Sequence, residues 1–329
     1  MKKFLVIQTA FTGDVVLATA LIEKLHLFFP NAQIDFLVRK GNEGLLKDHP
    51  FLHETLIWNK KENKKKNLFN LLKKIRKEKY DTVINLQRFV STGLLTAFSG
   101  ATEKIGFDKN PFSFLFTKKI KHGLTNGKHE VERNNELIQL FTDNTFTKPR
   151  LYPSAKNYDE IKKYTLQPYV CMMPASVWFT KQYPIEKWID LINHFPETYN
   201  IYLLGGKEDV SLCKKIKENV SGNKIEVLAG KLNFLSSAAL MKTAAMNYTN
   251  DSAPLHFASA VDAAVTAIFC STVPAFGFYP LSTKSFIVET KEILECRPCS
   301  LHGQKACPLG HFKCAYTIEN EQLLSTLSS

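Results

Sequence analysis

Short apolar runs alternate with longer stretches of helical spacing along nearly the whole chain. "KFLVIQT" is followed by the amphipathic "LATALIEKLHLFF", and "QIDFLVR" and "FLHETLIWN" supply two further strands. "LFNLLKKIRKEK" repeats its apolar positions every three or four residues, as a surface helix does. "YDTVINLQ" and "EKIGFD" read as strands on either side of the helix "STGLLTAFSG", and the helix near "EVERNNELIQLFTDN" closes this half. A polar, proline-containing stretch, "TFTKPRLYPSAKN", then separates two domains, 1–150 and 151–329. The second half begins again with "PYVCMMPA", "PIEKWIDLINHF", "NIYLLGG" and "DVSLCKKIKENV". It continues with "KIEVLAG", "FLSSAALMKTA", "MNYTND", "PLHFASAV" and "AAVTAIFC". Strands alternating with helices predict α/β domains with parallel sheets covered on both faces. Two such domains are expected to leave a cleft lined by the carboxyl ends of their strands, where open parallel sheets hold ligands. Candidate chemistry belongs in the loops that follow strands.

The charge adds a class of partner. Forty-three lysines and arginines stand against 31 aspartates and glutamates, a formal net charge of +12. Such an excess points to an anionic partner: nucleic acid, a nucleotide substrate or the phosphates of a membrane. The start "MKKFLVIQTAF" imitates a signal peptide, but its apolar run is short and no small-residue cleavage pattern follows. It reads as the first strand of a cytoplasmic protein. "FVSTGLLTAFSGA" is the best membrane-span candidate and is too short.

Four loops carry chemistry. In the first, Asp14 follows Gly13 at a helix start. Its carboxylate suits a helix cap, and equally a general base kept ionised by the helix dipole and taking a proton from a sugar hydroxyl. In "PASVWFTKQYP", the hydroxyls of Ser176 and Thr180 and the ammonium of Lys181 precede a helix, a combination suited to a diphosphate. In "LLGGKEDV", two glycines precede Glu208, an acceptor pair for ribose hydroxyls; alone this signal is weak. In "TNDSAPLHFASA", Asp251 and Ser252 begin a helix with His256 one turn inside; a plain helix cap and a core histidine would look the same. No GxGxxG follows any strand, which argues against a nicotinamide dehydrogenase.

The order "TAFTGDVVLATALIEKL", "PASVWFTKQYP", "LLGGKED" and "NDSAPLHFASA" resembles the heptosyltransferases of lipopolysaccharide synthesis, glycosyltransferase family 9. The resemblance spans nearly the whole chain and implies a GT-B fold of two facing Rossmann-like domains. It implies inverting transfer from an ADP-heptose donor to a lipopolysaccharide core or lipid A-linked acceptor. Under it Asp14 matches the base, Lys181 the lysine at the donor diphosphate, Ser176 a hydroxyl at the phosphates and Glu208 an acid near the ribose. Asp251, Ser252 and His256 match the motif at the donor's sugar and phosphates. Two departures stand out: Ala253 occupies a usual glycine, and "CSTVPAFGFYP" replaces a glycine-proline turn at the nucleotide base. A lysine and two helix N-termini would serve the leaving group without a catalytic cofactor, and no clear DxD pair is present to hold a metal. A non-catalytic nucleotide-sugar or anionic-glycolipid binding protein is the alternative.

Two segments remain. From 59 to 79, ten lysines and arginines accompany two glutamates, either a solvated helix face or a surface for phosphates of a lipid acceptor at the inner membrane. Arg39, Lys40 and Arg88 follow strands of the same domain and are candidates for an anionic acceptor's groove. Nucleic acid is not expected, because no recognised motif or stacking platform accompanies the charge. Near the end, Cys296, Cys299, Cys307 and Cys314 have the spacing C-x2-C-x7-C-x6-C, which suits a structural zinc before a final helix. Two disulfides or four free thiols fit the same spacing.

Overall fold

A computed structural model describes residues 1–123, 127–222 and 224–327. The chain divides into two compact units, Met1–Tyr152 and Pro153–Ser329.

The first unit runs β1 (Lys3–Ile7), α1 (Thr12–Phe28), β2 (Gln33–Arg39), β3 (Glu54–Trp58), α2 (Lys64–Glu78) and β4 (Thr82–Asn85). It continues through α3 (Val90–Ala97), β5 (Glu103–Phe107), β6 (Lys118–Ile120) and α4 (Glu130–Glu136). Its six strands lie in the order β3-β2-β1-β4-β5-β6, every pair parallel. The central strands β1 and β4 are buried almost throughout, as near-continuous apolar runs covered by helices on both faces must be. On α2 the 3.6-residue repeat turns Leu71 and Ile75 inward against Leu56 and Trp58 and leaves the lysines in solvent. Lys24 is fully buried on α1, and its ammonium meets the carbonyls of Asp143 and Thr145 at 2.6 and 2.7 Å and the Asp143 carboxylate at 2.9 Å. That tether ties the end of the unit back onto its longest helix.

The second unit runs α5 (Ala155–Ile161), β7 (Tyr169–Met173), α6 (Ile185–Asn193), β8 (Asn200–Leu203), α7 (Val210–Glu218), β9 (Ile225–Val227) and α8 (Phe234–Thr243). Then come β10 (Met246–Asn250), α9 (Ala253–Val261), β11 (Val265–Phe269), β12 (Ser285–Glu289), α10 (Lys313–Tyr316) and α11 (Asn320–Leu324). Its sheet, β12-β11-β10-β7-β8-β9, is again parallel throughout. In each unit the first strand pairs with both the second and the fourth, so chain direction across the sheet reverses beside β1 and beside β7. Crevices at such reversals lie beyond the strands' carboxyl ends: here, the loops after β1 and β4, and after β7 and β10.

The pattern of apolar positions missed β6 and β12. Both are edge strands, and neither is buried along its length, so they carry little of the apolar signal that marks an interior strand. The helix expected over 130–144 stops at Glu136 and continues as turns. The end of the cysteine-bearing tail is anchored by apolar side chains. Phe312, Cys314, Ala315, Ile318 and Leu323 are buried in the core of the second unit.

Candidate functional site

In the first unit, Asp14 sits in the first turn of α1, and its carboxylate accepts the Phe11 N–H at 3.1 Å. This is a capping contact, and it fixes the carboxylate beside the end of β1. The loop below is held by Thr9, whose hydroxyl donates to Gln87 at 2.7 Å, so the segments after β1 and β4 are joined. Asp14 also faces a group that spacing alone did not single out. Glu130 and Arg133 on α4 form a buried pair at 2.8 Å, and α4 packs on α1. Burial, partly opposed by Arg133 and reinforced by the Asp14 charge, pushes the Glu130 carboxyl up to about 7. Arg88 is exposed on the loop after β4 and its field reaches Glu130. The Arg39 guanidinium lies 5.6 Å from the centre of the Phe11 ring, and Lys40 next to it is exposed. Lys60, unremarked within its basic run, donates to the Thr9 carbonyl at 2.7 Å. Burial and the charges of Arg39 and Lys64 lower its pKa to about 8. Arg39, Lys60 and Arg88 therefore put positive charge at the same end of the sheet as the Asp14 and Glu130 carboxylates.

In the second unit, the loop after β7 is shaped by Asn250 at the end of β10. Its amide donates to the Pro174 carbonyl at 2.8 Å and accepts the Tyr183 N–H at 2.9 Å, pinning both ends of 174–183. This places the Lys181 ammonium 2.6 Å from the Asp251 carboxylate, with both side chains largely buried. Thr272 donates to the same carboxylate oxygen at 2.7 Å. Asp251 thus anchors Lys181, and an ammonium with three N–H donors keeps others for a ligand. Ser252 is the N-cap residue of α9, and its buried hydroxyl has no hydrogen-bond partner. His256, one turn further on, is buried with Nδ1 likewise unpartnered. Burial, helped by the Lys181 charge, lowers its pKa to about 3, so the ring is neutral near pH 7.

Other expected members stand differently. Thr180 is fully buried; its hydroxyl accepts from the Gln304 N–H at 2.8 Å and from Ser271 at 3.0 Å, so it supports the loop from behind. Ser176 is half-buried in the same loop, its carbonyl accepting from Gln182 at 2.6 Å. Glu208 is exposed after β8, while its neighbour Asp209 caps the Gly206 N–H at 2.8 Å.

The cysteine segment braces this site. Thr180 N–H donates to the Gln304 carbonyl at 3.1 Å and Cys299 N–H to the Ser271 carbonyl at 3.1 Å. Arg297 donates to the carbonyls of Phe269, Cys270 and Thr272 and pairs with Glu289 at 2.6 Å. Gly303, at φ +80°, lies so close to Lys181 that a Cβ would stand 2.8 Å from Lys181 Cγ. All four thiols are free, and those of Cys296, Cys299 and Cys307 act with burial to push Cys314 up to about 12. Cys296 Sγ lies 4.0 Å from His311 Nε2. Among the described residues no three histidine, cysteine or acidic side chains are grouped closely enough to hold a metal ion.

Comparison with known proteins decides the family. The model of glycosyltransferase family 9 (heptosyltransferase) matches residues 68–309. The chain belongs to this family. It is 28% identical over 278 residues to lipopolysaccharide heptosyltransferase 3 of Escherichia coli, covering 80% of this chain and 82% of that protein. Among solved structures, a glycosyltransferase family 9 protein from Veillonella parvula superposes with a TM-score of 0.88 at 20% identity, covering 99% of this chain and 96% of that one. An Escherichia coli heptosyltransferase solved with ADP gives 0.72 at 20% identity, over 87% and 93% of the two chains. These likenesses make the fold of this glycosyltransferase GT-B-like, with two parallel α/β units.

Proposed function

We propose that this family 9 glycosyltransferase moves a heptose, with inversion, from an ADP-activated donor to a lipopolysaccharide core or lipid A-linked acceptor. The second unit is the donor side and the first the acceptor side. What carries the reading is the group beside β7 and β10: a largely buried lysine held by Asp251, next to a hydroxyl and a neutral imidazole that lack partners. Buried polar atoms without partners are rare and costly, and here a bound pyrophosphate and sugar would satisfy them. The related heptosyltransferase solved with ADP supports adenosine diphosphate as the carrier.

In the reaction, Asp14 takes the proton of the acceptor hydroxyl while the hydroxyl oxygen bonds to the anomeric carbon. The bond from that carbon to the diphosphate breaks, and ADP leaves with the electron pair. Attack opposite the leaving group inverts the configuration. Lys181 and the Ala253 N–H at the start of α9 meet the growing charge on the departing phosphate, where preorganised donors act most strongly. Arg39, Lys40 and Arg88 bind anionic groups of the acceptor. No helix among the described residues is long and apolar enough to cross a membrane. The acceptor is proposed to be reached by peripheral contact at the cytoplasmic face of the inner membrane. The four cysteines are proposed to close on a structural zinc, with no metal in the transfer itself.

The test separates an enzyme from a binding protein. Asp14→Asn should lower turnover roughly 100-fold or more and leave ADP affinity unchanged. Full activity in that variant would remove Asp14 as the base, and a wild-type protein that binds ADP-heptose without transfer would make the chain a binding module.

A further inference from the structure

The first unit exposes aromatic side chains that its core does not explain. On α2 the inward face is Leu68, Leu71, Leu72 and Ile75, yet Phe69 points outward and is 60% exposed among lysines. Seven residues on, and so on the same face, Arg76 donates to the Phe98 carbonyl at 3.2 Å. Phe98 is itself exposed; its ring stands edge-on to Phe112, 6.2 Å between centres, and Phe112 stacks on Phe114 at 6.3 Å. Phe114 is 73% exposed, with Leu115 beside it also exposed. The loop bearing them is built in place. Asn110 donates to the carbonyls of Gln87 and Phe89, and Gly93 of α3 presses against the Asn110 side chain, where a Cβ would have no room. The aromatic stripe is thus held on α2, α3 and the β5–β6 connection, and is not a frayed end.

Cations border it. Lys73 and Lys77 on α2 and Lys109, Lys119 and Lys121 around the loop are exposed and have no acidic group within ion-pair distance among the described residues. The anions nearby are largely engaged: Glu103 pairs with Lys118 at 2.7 Å, and Asp108 accepts the His122 N–H at 3.0 Å. Exposed phenylalanines in a basic field complement one kind of partner. An anionic bilayer offers a negative surface for the lysines and an interfacial zone in which aromatic rings leave water. A second copy of the chain would bring a like-charged rim against this one.

We propose that the face formed by Phe69, Phe98, Phe112 and Phe114 with its lysine rim docks the enzyme on anionic lipid. This rests on the lipid-linked acceptor proposed above and identifies the surface that meets the membrane. Insertion of the rings would add an apolar, salt-insensitive component to the attraction of the lysines, which fades with ionic strength.

The test is co-sedimentation of the full-length protein with vesicles of phosphatidylglycerol and phosphatidylcholine, and of phosphatidylcholine alone. Wild type should bind the anionic vesicles, and Phe69→Ser with Phe114→Ser should weaken that binding about tenfold or more, since each ring loses its apolar contact. ADP affinity, measured alongside, should not move, and the melting temperature should fall by a few degrees at most, because both rings are mainly exposed and only Phe114 gives up a ring contact, with Phe112. Loss of ADP binding in wild type would instead defeat the donor assignment, a separate failure. Equal vesicle binding by variant and wild type, or none by wild type, overturns the proposal. So does a wild-type dimer that the double variant converts to a monomer without any lipid effect, which would make the face a self-association surface.

Discussion

Replacing Gly303 by alanine tests whether the cysteine-bearing segment sets the position of Lys181. The new methyl would stand 2.8 Å from Lys181 Cγ, 3.1 Å from its Cδ and 3.0 Å from Trp178 Cβ. Ordinary contact needs some 3.5 Å or more, so the lysine stem must give by roughly 0.7 Å. The backbone adds its own cost, since alanine at a left-handed φ loses about 1–2 kcal/mol relative to glycine. A charge-assisted hydrogen bond to a ligand is worth about 1.5–3 kcal/mol, and a shift of this size at a 2.6 Å contact forfeits much of it. A loss of about 1.4 kcal/mol is tenfold in affinity, so Gly303→Ala should raise the Kd for ADP about tenfold. Calorimetric titration of ADP into wild type, Gly303→Ala, Lys181→Ala and the double variant forms a cycle that removes general strain. With the lysine stem gone, the methyl no longer displaces the ammonium, and only the Trp178 contact and the backbone cost remain, so Gly303→Ala should cost ADP little further. The same tenfold loss in both backgrounds would refute the reasoning and assign the effect to the strained turn alone.

Two further predictions come from the second unit. His256 is held neutral to about pH 3, whereas the unfolded chain protonates it near 6.5. Its contribution to stability is present above 6.5 and is lost as pH falls from there toward 3, so His256→Gln should flatten the decline in urea midpoint between pH 6.5 and 4. An unchanged slope would mean the ring titrates normally. Metal analysis of protein purified without a histidine tag should find one zinc per chain, with chelation lowering the melting temperature; four freely titrating thiols and zinc well below one equivalent would leave the tail held by its apolar anchors alone.

Periodicity by itself determined the α/β class, because a strand buried on both faces must be a continuous apolar run and a covering helix must repeat every 3.6 residues. It also placed Lys181 and Asp251 in loops after strands, and Asp14 and His256 in the opening turns of the helices that follow, since those are local features of chain punctuation. The motif order was enough to point to the family. Tertiary structure decided what each residue does there. The Lys181–Asp251 pair, the bracing of Thr180 by Gln304 and the press of Gly303 on Lys181 join loops far apart in the chain, and no local pattern encodes such contacts. Thr180 illustrates the limit: a hydroxyl in a candidate phosphate loop reads as a ligand, and only the return of 297–304 across Ser271 buries it. Edge strands β6 and β12 were illegible because water covers one side of them and relaxes the apolar requirement. The exposed rings of Phe69 and Phe114 look like core residues in sequence, and only the packing of α2, α3 and the β5–β6 connection leaves them outside.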